Sequence, residues 1–225
     1  MSVQRIGNNT ADPEYESTPR RLPADQRREQ LLEVALSLFA VRGFAATTMD
    51  DIAAGAGVTK PLLYQHFTSK RALYLELVDS VGRDMLVAIS TAAAAAEGPR
   101  QQVEAGFAAY FNLVVRYEDA FRLLFGSDMP DDPELSRALR RVEDVVAEAV
   151  DALIDAGLDS EHRRLLAYAV VGMATGASRH WLESTGGRAK SDQTDEIDAA
   201  KSEADRLARR VSDLAWAGLR SVHRD

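Results

Sequence analysis

Two long stretches of the chain repeat apolar residues at the spacing of an α-helix. From Asp25 to Arg42, apolar side chains recur at helical spacing with charged residues between them. Gly43 predicts the end of this helix, because glycine destabilises helical backbone and often follows a helix. From Ser69 to Ala96, apolar residues recur along one face until Gly98-Pro99 predicts a break. This second helix is long enough to pack both against the segment that precedes it in the chain and against the segment that follows it.

Further amphipathic stretches follow, and none calls for a β-strand. The predicted helices are Val103–Tyr117, Ala120–Phe125, Pro133–Ala156 with Gly157 as its cap, Ser160–Glu183 and Ile197–Val222. The sequence therefore predicts an all-α fold, with a three-helix N-terminal head (residues 23–74) on a larger helical body (residues 75–225). Residues 1–22 are polar and lack periodicity, so we predict a disordered extension. Its Arg20-Arg21 pair fits either an arm that enters the DNA minor groove or a solubilising tail.

The segment Thr47–Lys70 reads TTMDDIAAGAGVTKPLLYQHFTSK and has the pattern of two short helices joined by a tight turn. Thr48 is a candidate N-cap for the first helix, because its hydroxyl can accept a hydrogen bond from the first turn. Gly55 and Gly57 predict the end of that helix after barely two turns. Thr59 is placed to cap the second helix, whose first turn tolerates Pro61.

The second short helix has one apolar and one polar face. Leu63 and Phe67 are spaced to point into the head. The opposite face carries Lys60, Leu62, Tyr64, Gln65 and His66. Two short helices, a glycine turn and a polar outer face are typical of a helix-turn-helix that binds DNA.

At these residues the chain resembles the TetR family of transcriptional regulators. The residues that carry the resemblance are Ala46-Thr47-Thr48, Ile52-Ala53, Gly57-Val58, Leu63-Tyr64-Gln65-His66-Phe67 and Ser69-Lys70, in order and without a gap. The resemblance extends back to Arg27 and onward to Leu73, roughly a quarter of the chain. It implies a homodimeric repressor that binds a palindromic operator, with a body that dimerises and binds an effector.

Four residues of the second short helix are candidates for reading base edges. Lys60 could donate to guanine, Gln65 could pair with adenine, and Pro61 and Leu62 could touch thymine methyl groups. The resemblance implies phosphate contacts for Thr48, Tyr64, His66 and Lys70, and Thr47 and Thr59 complete the predicted interface. Leu62 departs from the small or hydroxyl residue expected there. Tyr64 and His66 could instead cap the core of the head.

The charge distribution agrees with this interface, although the whole chain has a net charge of −8. From Pro19 to Tyr74 there are eight Lys/Arg and five Asp/Glu, a net charge of +3, so the remainder carries −11. A basic head on an acidic body would turn the head toward phosphates.

The resemblance also implies a small-molecule pocket in the body. The candidate lining residues are mainly aromatic, and each could equally be ordinary core: Phe107, Tyr110, Phe111, Tyr117, Phe121, Phe125, Met173, His180 and Trp181. This composition favours an apolar or aromatic ligand. Small residues in Ser160–Glu183 and Ile197–Val222 predict that these two helices form the dimer interface as a four-helix bundle.

The composition argues against other classes of function. The chain has no cysteine, no Gly-x-Ser-x-Gly and no phosphate-binding loop, so we expect no enzyme activity. The four histidines lie on different segments, and we expect neither a metal site nor a cofactor. No signal peptide or membrane span is evident, which predicts a cytoplasmic protein. The alternative to a ligand-released repressor is an effector-independent DNA-organising or interaction protein with the same dimeric fold.

Overall fold

A computed structural model describes residues 23–125, 132–154, 157–184 and 194–222. The predicted disorder of residues 1–22 and the role of Arg20-Arg21 lie outside these ranges. Throughout the described ranges the structure is α-helical, without a β-strand, which confirms the predicted fold class. The helices are α1 Ala24–Ala46, α2 Met49–Gly55, α3 Lys60–His66, α4 Lys70–Ala94, α5 Pro99–Arg116, α6 Glu118–Phe125, α7 Pro133–Asp151, α8 Ser160–Ser184 and α9 Thr194–Leu219.

The head is organised around the buried face of α1, where Leu31, Ala35 and Phe39 are almost fully buried. Gly43 interrupts α1 with a φ of 78°, a value that only glycine adopts readily. The break turns Phe44 back onto the rings of Phe39 and Tyr74. Gly43 therefore ends the amphipathic part of the helix, as the sequence predicts.

Helix α4 belongs to both parts of the molecule. Leu73 and Tyr74 are fully buried in the head, whereas Met85 and Ile89 are buried in the body. One continuous cluster of buried side chains runs from Leu31 in α1 to Ala215 in α9. The head and the body thus share a core.

The body packs α5 against α9 and α4, and α7 against α8 and α4. Helices α4 and α7 approach closely at Gly82, where an added Cβ would lie 2.7 Å from Val142 Cγ2. Helix α7 ends at Asp151, with the Ala152 amide bonded to the Glu148 and Val150 carbonyls, so the prediction that it extends to Ala156 is wrong. Gly157 is consequently not its cap but lies in the following connection with a φ of 62°.

Helices α8 and α9 present apolar side chains to solvent. Leu165 on α8 is 67% exposed and Leu214 on α9 is 65% exposed. A Cβ added at Gly172, Gly176 or Gly218 would meet no atom within 4 Å. The described surface of these helices therefore has uncovered apolar side chains next to open space.

Candidate nucleic-acid interface and ligand cavity

The first short helix, α2, begins at a reciprocal capping box. The Asp51 amide donates to Thr48 Oγ1 over 3.1 Å, and the Thr48 amide donates to Asp51 Oδ2 over 2.9 Å. The Thr48 hydroxyl and the Thr48 amide both donate to the Asp51 carboxylate and lower its pKa, and the Arg42 charge acts in the same direction. Thr48 is the N-cap of α2, as the sequence predicts, and its capping box fixes where the helix starts.

Thr47 does not lie on the outer surface. Its side chain is 0% exposed, and its hydroxyl donates to the Gly43 carbonyl over 2.9 Å. A fully buried side chain cannot contact DNA, so the prediction that Thr47 belongs to the interface does not hold for its side chain. Thr47 is instead hydrogen-bonded to the backbone of Gly43, where α1 is interrupted.

Lys70 faces the same break from the start of α4. Its Nζ donates to the Phe44, Ala45 and Thr47 carbonyls over 2.6, 3.2 and 2.7 Å. The ammonium also lies 4.5 Å from the centre of the Phe44 ring. Partial burial lowers the pKa of Lys70. In this structure the ammonium of Lys70 is bonded to these protein groups, and the phosphate contact that the resemblance implies stays a prediction.

Helix α3 presents the predicted outer face. Leu63 and Phe67 are buried, at 0% and 3% exposure, and they anchor the helix to the head. Thr59 occupies the N-cap position, but its side chain accepts no capping hydrogen bond, and Pro61 lies in the first turn. Of the predicted contact residues, Thr59, Lys60, Pro61, Tyr64 and Gln65 are exposed, and Leu62 and His66 are half-buried.

The exposed end of α3 is tied to α2 by an ion pair. Lys60 Nζ lies 2.7 Å from Asp50 Oδ1, and both side chains are more than half exposed. The hydrogen bond to Asp50 raises the pKa of Lys60, and the Asp50 charge adds to that effect. The ion pair orients the Lys60 side chain and engages its ammonium with a carboxylate of α2.

Arg28 on α1 holds the other end of α3 and was not among the predicted site residues. Its guanidinium donates to the His66 carbonyl over 2.8 Å and lies 4.4 Å from the centre of the Phe67 ring. It also forms a bidentate pair with Glu76 on α4, which raises the pKa of Arg28. The two successive arginines near the start of α1 gave no signal in the sequence for this role.

The body contains a cavity of about 360 Å³ between α4, α5, α7, α8 and the end of α9. This volume lies in the range of small-molecule sites. Polar side chains in its wall are few: Gln102, Tyr110, Glu143, Thr175 and Arg220. Its apolar wall includes Met85, Ile89, Ala93, Val103, Phe107, Val142, Val146, Val150, Leu166, Val170, Val171, Ala174, Trp216 and Leu219.

Only part of the predicted aromatic pocket lines this cavity. Phe107 and Tyr110 do so, and the buried Ser178 hydroxyl donates to the Tyr110 hydroxyl over 3.2 Å. Phe111 and Trp181 are buried in the core, Met173 packs at its margin, and His180 is exposed, so none of these four lines the cavity.

Tyr117 and Phe121 face a separate hollow of about 310 Å³ between α1, α4, α5 and α6. The Phe125 side chain lies outside the described residues. The cavity wall missed by sequence reasoning is mainly valine and leucine, whose helical pattern does not distinguish a cavity wall from ordinary core.

The described ranges lack both a cluster of metal ligands and a helix that could span a membrane. No group of three or more His, Cys, Asp or Glu residues in them could hold a metal ion. No helix within these ranges is long and apolar enough to cross a membrane.

Comparison with known proteins places these features among bacterial regulators. A family model described as bacterial regulatory proteins, tetR family, matches residues 31–77, from α1 into α4. The HTH-type transcriptional activator FasR of Mycolicibacterium smegmatis is 34% identical over 185 residues, which cover 78% of this chain and 84% of FasR. The HTH-type transcriptional repressor KstR2 of Mycobacterium tuberculosis is 48% identical over 62 residues, 28% of this chain and 29% of KstR2.

A solved structure resembles this fold over most of its length. The transcriptional regulator FadR from Bacillus subtilis, solved in complex with stearoyl-CoA, superposes with a TM-score of 0.68 and 14% identity. The match covers 87% of this chain and 99% of that one. At this identity the likeness concerns the fold.

Proposed function

The chain belongs to the TetR family of DNA-binding transcriptional regulators, and from that premise we propose that it binds a near-palindromic operator as a homodimer and releases it when an apolar ligand fills the body cavity. The observation that carries the proposal is the outer face of α3, which is exposed while Leu63 and Phe67 anchor it to the head. We also propose the domain division at residues 74/75, within α4.

Helix α3 would enter the major groove and read base edges with Lys60 and Gln65. Tyr64 is 44% exposed, so its ring can rest on the head while its hydroxyl reaches a phosphate. The capping box at Thr48 would present the start of α2 to the phosphate backbone of the DNA. Two heads would occupy successive major grooves about 34–36 Å apart.

The proposed dimer pairs α8 and α9 with the same helices of a second copy. Leu165 and Leu214 are exposed on these helices, and burial of such side chains contributes to association. Gly172, Gly176 and Gly218 leave room for close helix approach. Both features support an isologous four-helix interface.

The proposed effector is an amphiphile with an apolar chain. Valine, leucine and isoleucine dominate the cavity wall, which suits an alkyl chain better than a sugar or a nucleotide base. FadR from Bacillus subtilis was solved with stearoyl-CoA, which makes fatty acyl compounds the first class to test here. The presence of a cavity favours this proposal over an effector-independent interaction protein.

The effect on transcription stays a prediction. FasR, which matches most of the chain, is named an activator, whereas KstR2, which matches the head, is named a repressor. Our proposal therefore concerns release from the operator. A repressor role additionally requires that the operator overlap the promoter.

The operator proposal is tested by fluorescence anisotropy with DNA from upstream of the gene, in the presence of nonspecific competitor. Lys60→Ala and Gln65→Ala should each weaken operator binding by about 1–3 kcal/mol, as expected for base contacts. Arg83→Ala, an exposed arginine on the body part of α4, is the matched control and should bind like the wild type. Equal losses of operator affinity for all three variants would contradict the proposal that α3 reads base edges.

The release mechanism is tested by joining α4 to α7. A Cβ built on Gly82 lies 3.4 Å from Val142 Cβ, which is close to the Cβ–Cβ distance in disulfides. The chain has no cysteine of its own that could form a competing disulfide. The oxidised Gly82→Cys/Val142→Cys protein should bind the operator but no longer release it when decanoate is added. Reduction should restore release, and direct titration of the oxidised protein with decanoate controls for loss of ligand binding. Release that is unaffected by oxidation would rule out movement of α4 against α7.

A further inference from the structure

Glu143 is a carboxylate in the wall of a largely apolar cavity. It lies on α7 between Val142 and Val146, both of which also line the cavity. Among the described residues it has no hydrogen bond and no ion pair within 4.0 Å. Burial raises the pKa of the Glu143 carboxyl, the neighbouring Asp144 charge adds to this, and the Arg179 and Arg140 charges oppose it. The cavity wall thus contains a half-buried carboxylate that forms no hydrogen bond with another described residue.

The helix directions place Glu143 at the end of the cavity nearer the head. Helix α4 runs away from the head, so Met85 lies nearer to it than Ala93 does, and α5 returns with Tyr110 near its end. Val142 crosses α4 at Gly82, on the head side of Met85. The opposite end carries Gln102 and the exposed Arg220. From Met85 to Ala93 the α4 wall is about 12 Å long at the helical rise.

This arrangement discriminates among ligand termini. A methyl terminus at the head-side end would remove water from Glu143 without replacing its hydrogen bonds, which is unfavourable for a charged group. A carboxylate terminus there would repel Glu143. A hydroxyl or amine would donate to it, while the amide of Gln102 and the guanidinium of Arg220 suit an acidic group at the other end.

We propose that Glu143 is the specificity-determining residue of the cavity, and that the effector is an acidic amphiphile whose chain ends in a hydroxyl or amine that donates to this carboxylate. The inference rests on the proposed function, because it requires that the cavity bind an alkyl chain. It goes further by naming the terminal group that the cavity selects.

The test is direct calorimetric titration of the full-length protein, without DNA, with four ligands of one chain length: decanoate, ω-hydroxydecanoate, ω-aminodecanoate and decanedioate. The wild type should bind the hydroxy and amino acids about tenfold or more tightly than decanoate, as expected for a hydrogen bond to a charged group. Decanedioate should bind most weakly.

Two substitutions separate the charge of Glu143 from its hydrogen bonding. Glu143→Leu should reverse the order, so that decanoate binds more tightly than ω-hydroxydecanoate. Glu143→Gln should keep the preference for the hydroxyl but relieve the penalty on decanedioate. Glu148→Gln, an exposed glutamate on the same helix outside the cavity wall, is the matched control and should keep the wild-type order.

The outcomes distinguish this inference from the proposed function. If wild type and Glu143→Leu bind all four ligands in the same order, Glu143 does not select the terminus, although the cavity still binds chains. If neither protein binds any of the four, the alkyl-chain cavity is refuted and the inference fails with it. Melting curves confirm that each variant is folded, and Glu143→Gln preserves the shape of the side chain.

Discussion

Replacing Lys70 by methionine decides whether this residue holds the head together or binds a phosphate. The ammonium donates to three backbone carbonyls at the break between α1 and α2 and lies over the Phe44 ring. Methionine keeps much of the side-chain length but cannot donate. The change therefore removes these bonds and leaves the carbonyls of Phe44 and Thr47, both in partly buried bonds, without their donor.

The expected loss in the free energy of unfolding comes mainly from the two partly buried hydrogen bonds. A hydrogen bond to a charged group contributes about 1.5–3 kcal/mol, less where water can replace it. With two partly buried bonds, one exposed bond and a cation–π contact of about 0.5–1 kcal/mol, we expect a loss of about 2–3 kcal/mol. For a chain of this size that corresponds to a fall in melting temperature of about 5–10 °C.

Thermal unfolding and salt-dependent operator binding together distinguish the two roles. If Lys70 is structural, Lys70→Met lowers the melting temperature, and the slope of log affinity against log salt stays close to that of the wild type. If Lys70 binds a phosphate instead, stability is unchanged and the slope falls by about 0.9 per head. Lys60→Met is the matched control, because this exposed lysine pairs with Asp50 only and its loss should leave the melting temperature unchanged.

Three other substitutions or conditions test the remaining features. Asp50→Asn releases Lys60 from its ion pair and should strengthen operator binding and steepen its salt dependence, measured by anisotropy. Leu165→Glu with Leu214→Glu should convert a dimer into a monomer in light scattering, whereas Val87→Glu, on exposed α4 surface, should not. The pKa of Asp51 is lowered in the folded state, so its contribution to stability is complete above the unfolded value of about 4 and is lost as pH falls further. Asp51→Asn should therefore flatten the acid side of the stability profile, which denaturant titrations at several pH values would show.

The head was predictable because short-range rules determine it. Thr48 caps α2 through hydrogen bonds within the first turn, and Gly43 breaks α1 through its own backbone conformation. Leu63 and Phe67 anchor α3 because their spacing places both on its buried side. Such effects act within a few residues, so they can be read from one segment. The family assignment rests on the same segment and is confirmed by the match of residues 31–77 and by the similarity to FasR.

The cavity was only partly predictable because its wall depends on which helix faces meet. Sequence reasoning favoured aromatic residues, yet Phe111 and Trp181 fill the core while Val146 and Val170 line the cavity. Periodicity identifies the buried side of a helix but not whether its neighbours fill the space in front of it. Thr47 shows a related error, since its role was inferred from its neighbours in sequence although it faces inward.

The contacts of α4 and α7 explain how a ligand in the body could affect the head. The helices cross tightly at Gly82 and Val142, and Arg71 at the start of α4 pairs with Asp132 and Glu134 at the start of α7. Beyond the crossing, Met85 and Val146 line the cavity on either side. Closely packed cores respond to an added group by shifting whole elements rather than by compressing. A chain that separates α4 from α7 beyond the crossing must therefore also change their arrangement at Arg71, next to the Lys70 contacts that position α2.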